Sequence, residues 1–458
     1  MLFHTWPFLV FFTIFYLVYL LARDTRWRIP WLLTASYVFY GWWNPLYLFL
    51  IAYSSALDYG VVRAMDGSRH RKAWVGISMA NNLFLLGFFK YGKFVTENLN
   101  GLLEATGLAW RIPVPGVLLP VGISFFVFQS MSYTLDFYRG QVEKETSFLR
   151  FATFVSLFPQ LVAGPIERAS ALLPQLRRVP QIRRENLADG LSLFVAGLFK
   201  KLALADYLAA CVDPVYSAPE MYGRSTLLLA TFAFGWQIYF DFSGYTDMAR
   251  GVARMMGYNL MLNFKRPYVA DSLSDFWGRW HISLSTWFRD YVYIPLGGNR
   301  RGAARTYWNL LVTLLLSGLW HGAAWSFVIW GALHAFGVMA TRELSRTAFY
   351  RNRVPRLIKQ LGVCAFVMLT WLFFRAANLE QARLILNRIL QTGWEKPEFP
   401  LLAVFFCLVI WLYHFLLESR AARILKSVPV RVVLMTAIVL YLLVFASGGQ
   451  EAFIYFQF

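Results

Sequence analysis

Two of the six histidines in this sequence, His281 and His321, each follow a tryptophan and stand forty positions apart in apolar, aromatic-rich stretches. A neutral imidazole can take up a proton near physiological pH, and an ionisable ring inside membrane-type sequence is costly unless it is used or paired. His321 lies in a stretch from Tyr307 to Ala340 that carries no Asp, Glu, Lys or Arg. As one straight helix this stretch would run about 50 Å, against a hydrocarbon core of roughly 30 Å. It must bend into a hairpin or tilt steeply, and the hinge expected is Ser317-Gly318, with Gly322 close behind. His321 then sits at a helix break near the deepest point of the excursion. The bland alternative is a buried histidine hydrogen-bonded to a carbonyl. His334, thirteen residues on, reads as a satisfied packing residue, and His4, His70 and His414 are assigned nothing.

The other histidine belongs to D-S-L-S-D-F-W-G-R-W-H-I-S-L-S-T-W-F-R-D-Y. Ser272 and Asp275 have the spacing of a helix-start capping box. Trp277, Trp280, Leu284, Trp287 and Tyr291 recur at three and four residues, one stripe of a continuous helix near a membrane interface. On that helix His281, Ser285 and Arg289 share one edge, while Ser283 falls on a different side and its loss is expected to be nearly silent. An interfacial histidine bonded to a neighbour is the structural alternative for His281.

Other chemistries lack their residues. No H-E-x-x-H or paired metal-ligand spacing occurs, so no metal is expected. The hydrolase motif G-x-S-x-G, a Walker loop and G-x-G-x-x-G are missing too. A second polar cluster, Y-F-D-F-S-G-Y-T-D-M-A-R-G, places Asp241 and Asp247 at the end of an apolar run. Structural pairing, with Arg250 or Arg254, is the favoured reading there. Histidine acting as a general base on a group that reaches it within the membrane is what remains.

The elements that must position these residues follow from composition. Hydrophobic residues make up 58% and charged residues 15% of the chain, against about 25% charged in a soluble domain. Apolar runs reach the roughly 17–25 residues a spanning helix needs. The expected fold is an all-α polytopic membrane protein of about ten to twelve spans, with re-entrant or interfacial helices, forming a single membrane-embedded domain over 1–458. The net charge of +19 marks cytoplasmic loops and not a nucleic-acid site. Cys211, Cys364 and Cys407 stand singly and suggest neither disulfide nor zinc.

Along the chain, the first apolar segment, Pro7 to Ala22, is read as an uncleaved span. Basic clusters at 23–28, 63–72, 168–184, 342–356 and 420–431 are placed in the cytoplasm. The base-free stretch from Glu97 to Gly107 is read as an external loop, followed by a span from Val114 to Leu135. Phe151 to Ala163 is a re-entrant or tilted element, tolerable only where protein satisfies its backbone. Lys200 and Lys201 are an anomaly in the middle of the span from Leu187 to Val212. The C-terminal G-G-Q-E-A-F-I-Y-F-Q-F is placed outside.

R-W-H-I-S-L-S-T-W-F-R-D-Y-V-Y-I-P-L-G-G-N-R followed by S-G-L-W-H-G-A-A-W resembles the signature of the membrane-bound O-acyltransferases. Y-F-D-F-S-G-Y-T-D-M-A, L-V-A-G-P-I-E-R and F-I-Y-F-Q-F are similar to its bacterial branch, which includes alginate O-acetylation and teichoic-acid D-alanylation proteins. The resemblance runs from about Tyr91 to the end. It implies a helical bundle around a central tunnel, with His321 as catalytic histidine and His281 as the second polar position. Donor or tunnel positioning falls to Ser285, Arg289, Asp290, Trp320 and Asp241, and His281 with Ser285 would position the donor or stabilise an oxyanion. Arg279, Arg300 and Arg301 are candidate contacts for donor phosphates. No bound cofactor is implied. The acyl group would come from a cytoplasmic thioester, acetyl-coenzyme A or an acyl carrier, and pass to an exported polysaccharide such as alginate or cellulose with periplasmic acetyltransferase partners. Teichoic-acid D-alanylation and peptidoglycan O-acetylation are the alternatives within the family. A polysaccharide or lipid transporter of the bacterial inner membrane is the alternative outside it.

Overall fold

The computed structural model describes residues 1–108, 110–425 and 427–445. Among them every regular element is a helix, as the all-α membrane class requires. Contacts divide the chain into two compact units, the first formed by 1–194 with 248–261 and the second by 195–247 with 262–458. The C-terminal segment expected outside, including F-I-Y-F-Q-F, falls beyond the described residues.

The first unit contains α1 (Trp6–Ala22), α2 (Arg28–Gly41), α3 (Leu48–Met65), α4 (Arg71–Leu86), α5 (Gly92–Ala105), α6 (Ile123–Tyr138), α7 (Phe148–Ser156), α8 (Phe158–Leu161) and α9 (Ala169–Arg177), and the start of α10 (Arg184–Phe199). The stretch expected to be re-entrant is indeed two short helices, and its side chains from Phe151 to Val162 are buried. Protein satisfies its backbone. Gln129 and Gln160 donate to the Phe154 carbonyl at 2.5 and 2.8 Å, and the Phe158 N–H donates to Ser36 Oγ at 3.1 Å. The buried Asp58 carboxylate of α3 accepts from Ser78 Oγ at 2.5 Å and from Asn82 Nδ2 at 2.9 Å, and also from Ser130, so hydroxyl and amide donors solvate it. Such pairing is what keeps a carboxylate inside an apolar bundle.

Two boundaries differ from expectation in this unit. The base-free stretch read as a loop is helical as far as Ala105. Nothing in Glu97 to Ala105 breaks a helix except Gly101, which has open space around it. The span expected from Val114 begins only at Ile123, because Pro113, Pro115 and Pro120 hold the preceding segment extended.

The second unit contains α11 (Asp206–Ser217), α12 (Arg224–Met255, up to Asp247), α13 (Leu273–Trp277), α14 (Ile282–Phe288), α15 (Gly302–His321), α16 (Trp325–Leu344), α17 (Ala348–Asn352), α18 (Arg356–Arg375), α19 (Leu379–Gln391), α20 (Leu401–Glu418), α21 (Ala422–Leu425) and α22 (Val428–Phe445). Among the described residues, three helical stretches are long and apolar enough to cross a membrane by length and composition, Pro45–Met65, Arg356–Arg375 and Leu401–Glu418. Trp6–Ala22 and Val428–Val444 are shorter apolar helices. Wide helical turns occur at Gly87–Tyr91 and at Lys200–Ala205, the latter interrupting the span expected from Leu187 to Val212. The second of these is where the two anomalous lysines stand.

The charge-free stretch from 307 to 340 folds as the expected hairpin, α15 turning into α16. The turn lies at Gly322 to Ala324 and not at Ser317-Gly318, which remain helical. Gly318 serves instead as the point of closest approach: a Cβ there would lie 2.2 Å from the Phe327 carbonyl oxygen. A Cβ on Gly322 would lie 2.0 Å from the Phe327 ring. Glycine at 318 lets the two backbones meet, as small residues do between membrane helices generally, and glycine at 322 makes room for the Phe327 ring.

Candidate active site

The segment carrying His281 is two helices and not one, so the proposed continuous aromatic stripe is corrected. Ser272 caps α13, its Oγ accepting from the Asp275 N–H at 3.1 Å, but the Asp275 carboxylate accepts from Asp271 N at 3.4 Å, so only half of a capping box forms. The helix stops after Trp277 and resumes at Ile282. At the break His281 adopts φ 42°, a left-handed conformation that costs a side chain other than glycine about 1–3 kcal/mol. Tertiary bonds hold it there. The Ile282 N–H donates to the Asn263 carbonyl at 3.0 Å, and the Lys265 N–H to the Arg279 carbonyl at 2.9 Å. Ser285 Oγ closes the break by donating to the Trp280 carbonyl at 3.1 Å.

This kink turns His281 inward, away from the edge it was expected to share with Ser285 and Arg289. Its ring is fully buried, 4.7 Å from the Phe242 ring and 5.8 Å from that of Trp320. Ser283, expected to be inconsequential, is buried beside it. Asn263 Oδ1 accepts from the Ser283 N–H at 3.1 Å and from Ser283 Oγ at 3.0 Å, and stands 3.2 Å from His281 Nδ1. The Arg289 guanidinium is exposed and paired with Asp290 at 2.8 Å, so these two candidates neutralise each other.

His321 is the last residue of α15, and its ring meets the rings of Trp320, Trp330 and Phe374 at 5.1, 5.2 and 5.2 Å. The two imidazole centroids are 6.4 Å apart. Trp320 borders both. Two buried histidines, one at the α13–α14 break and one at the end of α15, thus meet inside an aromatic shell, where proton transfer and polar interactions are little screened by water. Each neutral imidazole offers one donor and one acceptor nitrogen, enough to accept a hydroxyl proton and return it to a leaving group.

The remaining candidates fall into structural pairs. Asp241 is bound by Lys201 at 3.1 Å, and Lys201 also meets Asp206 at 2.8 Å. Asp247 pairs with Lys200 at 2.6 Å. The anomalous lysines are therefore partners of the anomalous carboxylates, and Arg254 meets Asn259 and Asp189 instead. Asp241 precedes Phe242, whose ring lies 4.7 Å from that of His281. Arg279 is held by Asp275 at 2.8 Å and by Glu418, so its guanidinium is already engaged by carboxylates. Arg300 and Arg301 are exposed in the turn before α15. His334 Nε2 bonds Thr370 Oγ1 at 3.0 Å, the satisfied packing role read from sequence. His414, assigned nothing, is buried against Trp236 and Tyr239. Asn263 gave no signal in the sequence. Among the described residues, no three His, Cys, Asp or Glu side chains gather as metal ligands would.

The profile of the membrane-bound O-acyltransferase family matches residues 108–382. The chain is 41% identical over 389 residues to a probable alginate O-acetylase of Azotobacter vinelandii, covering 83% of this chain and 76% of that protein. It is 36% identical over 389 residues to a peptidoglycan O-acetyltransferase of Helicobacter pylori, covering 78% and 72%. A teichoic acid D-alanyltransferase of Streptococcus thermophilus is 28% identical over 236 residues, 48% of this chain and 56% of that protein.

Proposed function

The chain belongs to the membrane-bound O-acyltransferase family and is a membrane-bound O-acetyltransferase, and on that premise we propose that it draws acetyl groups from a cytoplasmic thioester for O-acetylation of an exported polysaccharide. Alginate or cellulose is the polymer class, and acetyl-coenzyme A or an acyl carrier the donor. The observation that carries this reading is the meeting of His281 and His321 at 6.4 Å from segments forty residues apart in sequence. The likeness of most of the chain to a probable alginate O-acetylase supports the acetyl group and the polymer class.

In the reaction, neutral His321 accepts the proton of an acceptor hydroxyl as its oxygen attacks the thioester carbonyl carbon. The carbon–sulfur bond then breaks, and the leaving thiolate takes the proton back from the His321 imidazolium. His281 shares the aromatic shell and keeps the reacting groups in register. The hydroxyl belongs to the polymer or to a periplasmic partner that passes the acetyl group onward. The setting is the bacterial inner membrane, with the reaction centre in a tunnel and both compact units forming one acyltransferase domain. The family match, running across both units, supports that last point.

A deletion strain provides the test. Acetyl esters on the exported polymer are expected to disappear while total polymer export persists. Loss of export with normal acetylation of what remains would favour a transporter instead. D-alanyl esters lost in place of acetyl esters would move the substrate to the D-alanyl branch.

A further inference from the structure

Asn263 lies in the segment between α12 and α13, and its side chain is fully buried. Its orientation is fixed by a group with no freedom: the backbone N–H of Ser283 donates to Asn263 Oδ1 at 3.1 Å. An amide nitrogen could not accept that bond, so the carbonyl end of the side chain must face Ser283 and His281. Ser283 Oγ adds a second donor at 3.0 Å to the same oxygen. The third neighbour of Oδ1 is His281 Nδ1, at 3.2 Å.

An unprotonated Nδ1 would set two lone pairs against each other at hydrogen-bond distance in a fully buried site. Ser283 does not bridge them, because its one hydroxyl proton is spent on Asn263, and its own Oγ is 3.5 Å from Nδ1. The ring therefore carries a proton on Nδ1. In a neutral imidazole the other nitrogen is then an acceptor, since the bond made by one nitrogen sets the state of the other. The Asn263 main-chain carbonyl, which receives the Ile282 N–H, holds the same turn.

We propose that Asn263 is the positioning residue that locks His281 in its Nδ1–H tautomer, so that His281 faces the reaction through a proton-accepting Nε2. This assignment rests on the reading of the two histidines as the reaction centre and sharpens it. Neutral His281 cannot donate a hydrogen bond to an oxyanion from Nε2. It accepts one, from the attacking hydroxyl or from the His321 imidazolium, and other donors meet the oxyanion. On this proposal the oxyanion role expected for His281 passes to other donors, through a residue eighteen positions upstream.

The test reads the tautomer directly. In the full chain with ¹⁵N-labelled histidine, the His281 ring is assigned by its loss in His281→Gln. The native protein is expected to show the proton on Nδ1, and Asn263→Ala to show a shift toward the Nε2–H form. A native Nε2–H form, or an unchanged tautomer in Asn263→Ala, would overturn the proposal. Transfer kinetics form the second arm. Asn263→Ala should lower kcat about 10–100-fold with KM within about twofold, the scale of losing an imidazole's orienting partner. Asn263→Asp, whose carboxylate accepts the same donors, should restore most of that loss. An Asn263→Asp as impaired as Asn263→Ala would reduce the residue to a packing role. The tautomer measurement does not depend on turnover, so it stands apart from any failure of the acyl-transfer reading.

Discussion

Gly318→Ala tests whether the α15–α16 hairpin holds His321 in place. A Cβ at position 318 would sit 2.2 Å from the Phe327 carbonyl oxygen and 3.3 Å from Gly331 Cα. Ordinary contact begins near 3.4 Å, so the two backbones must part by about 1 Å. The obstacle is backbone on the facing helix and cannot swing aside. Overpacking of this kind costs about 1–3 kcal/mol, which a fold stable by about 5–15 kcal/mol survives. A displacement of about 1 Å at the reacting groups costs on the order of 10²-fold in rate. His321 lies one turn beyond Gly318, and Trp330, one of its ring neighbours, is on the opposing helix. Acetyl transfer by Gly318→Ala should therefore fall about 10–100-fold while membrane abundance stays within about threefold of the parent. Gly362→Ala, where the added methyl meets nothing within 4 Å, is the control and should transfer normally. Transfer is assayed as acetyl esters released from exported polymer, normalised to protein in the membrane fraction. Normal transfer by Gly318→Ala would refute the argument that this close approach places His321.

Lys201→Met removes the buried cation bonded to both Asp206 and Asp241 and should destabilise the chain by about 3–5 kcal/mol, seen as a lower melting midpoint in detergent. Adding Asp206→Asn and Asp241→Asn should recover most of that loss. Arg279→Gln should lower stability by less, because Glu418 keeps Arg266 at 3.3 Å and Arg356 at 3.7 Å, with little change in donor KM, because the guanidinium is held by carboxylates. A donor-phosphate contact would instead raise KM. A reporter fused after Gly107 should read as external and one within 351–356 as cytoplasmic, and reversal at both sites would invert the orientation.

What could be read from the sequence was what local spacing encodes. A charge-free stretch too long for one span had to bend, and a hairpin ending its first helix at His321 followed. Its turn moved to Gly322 because Gly318 is needed, still helical, where the two backbones touch. The aromatic spacing of 277–291 fits a helix whether or not it is interrupted. The left-handed turn at His281 depends on Asn263, whose distance in sequence leaves no local trace. The same holds for the ion pairs: Lys200 and Lys201 stood out as costly, and so did Asp241 and Asp247. Only the fold shows that each pair answers the other across forty to fifty residues, while Arg254 is directed to Asn259 and Asp189.

The central claim is that His321 moves the proton in acyl transfer. The measurement that bears on it most directly is transfer by His321→Ala beside His334→Ala, each normalised to folded protein in the membrane. A general base contributes typically 10²–10⁴-fold, so His321→Ala should lose nearly all detectable transfer at near-normal abundance and with export of the polymer intact. His334→Ala, which removes the bond to Thr370 and ring contacts with Trp277 and Trp330 but no proposed proton carrier, should keep transfer within a few-fold. Transfer retained by His321→Ala, or its disappearance from the membrane, would show instead that the histidine is there to hold the fold.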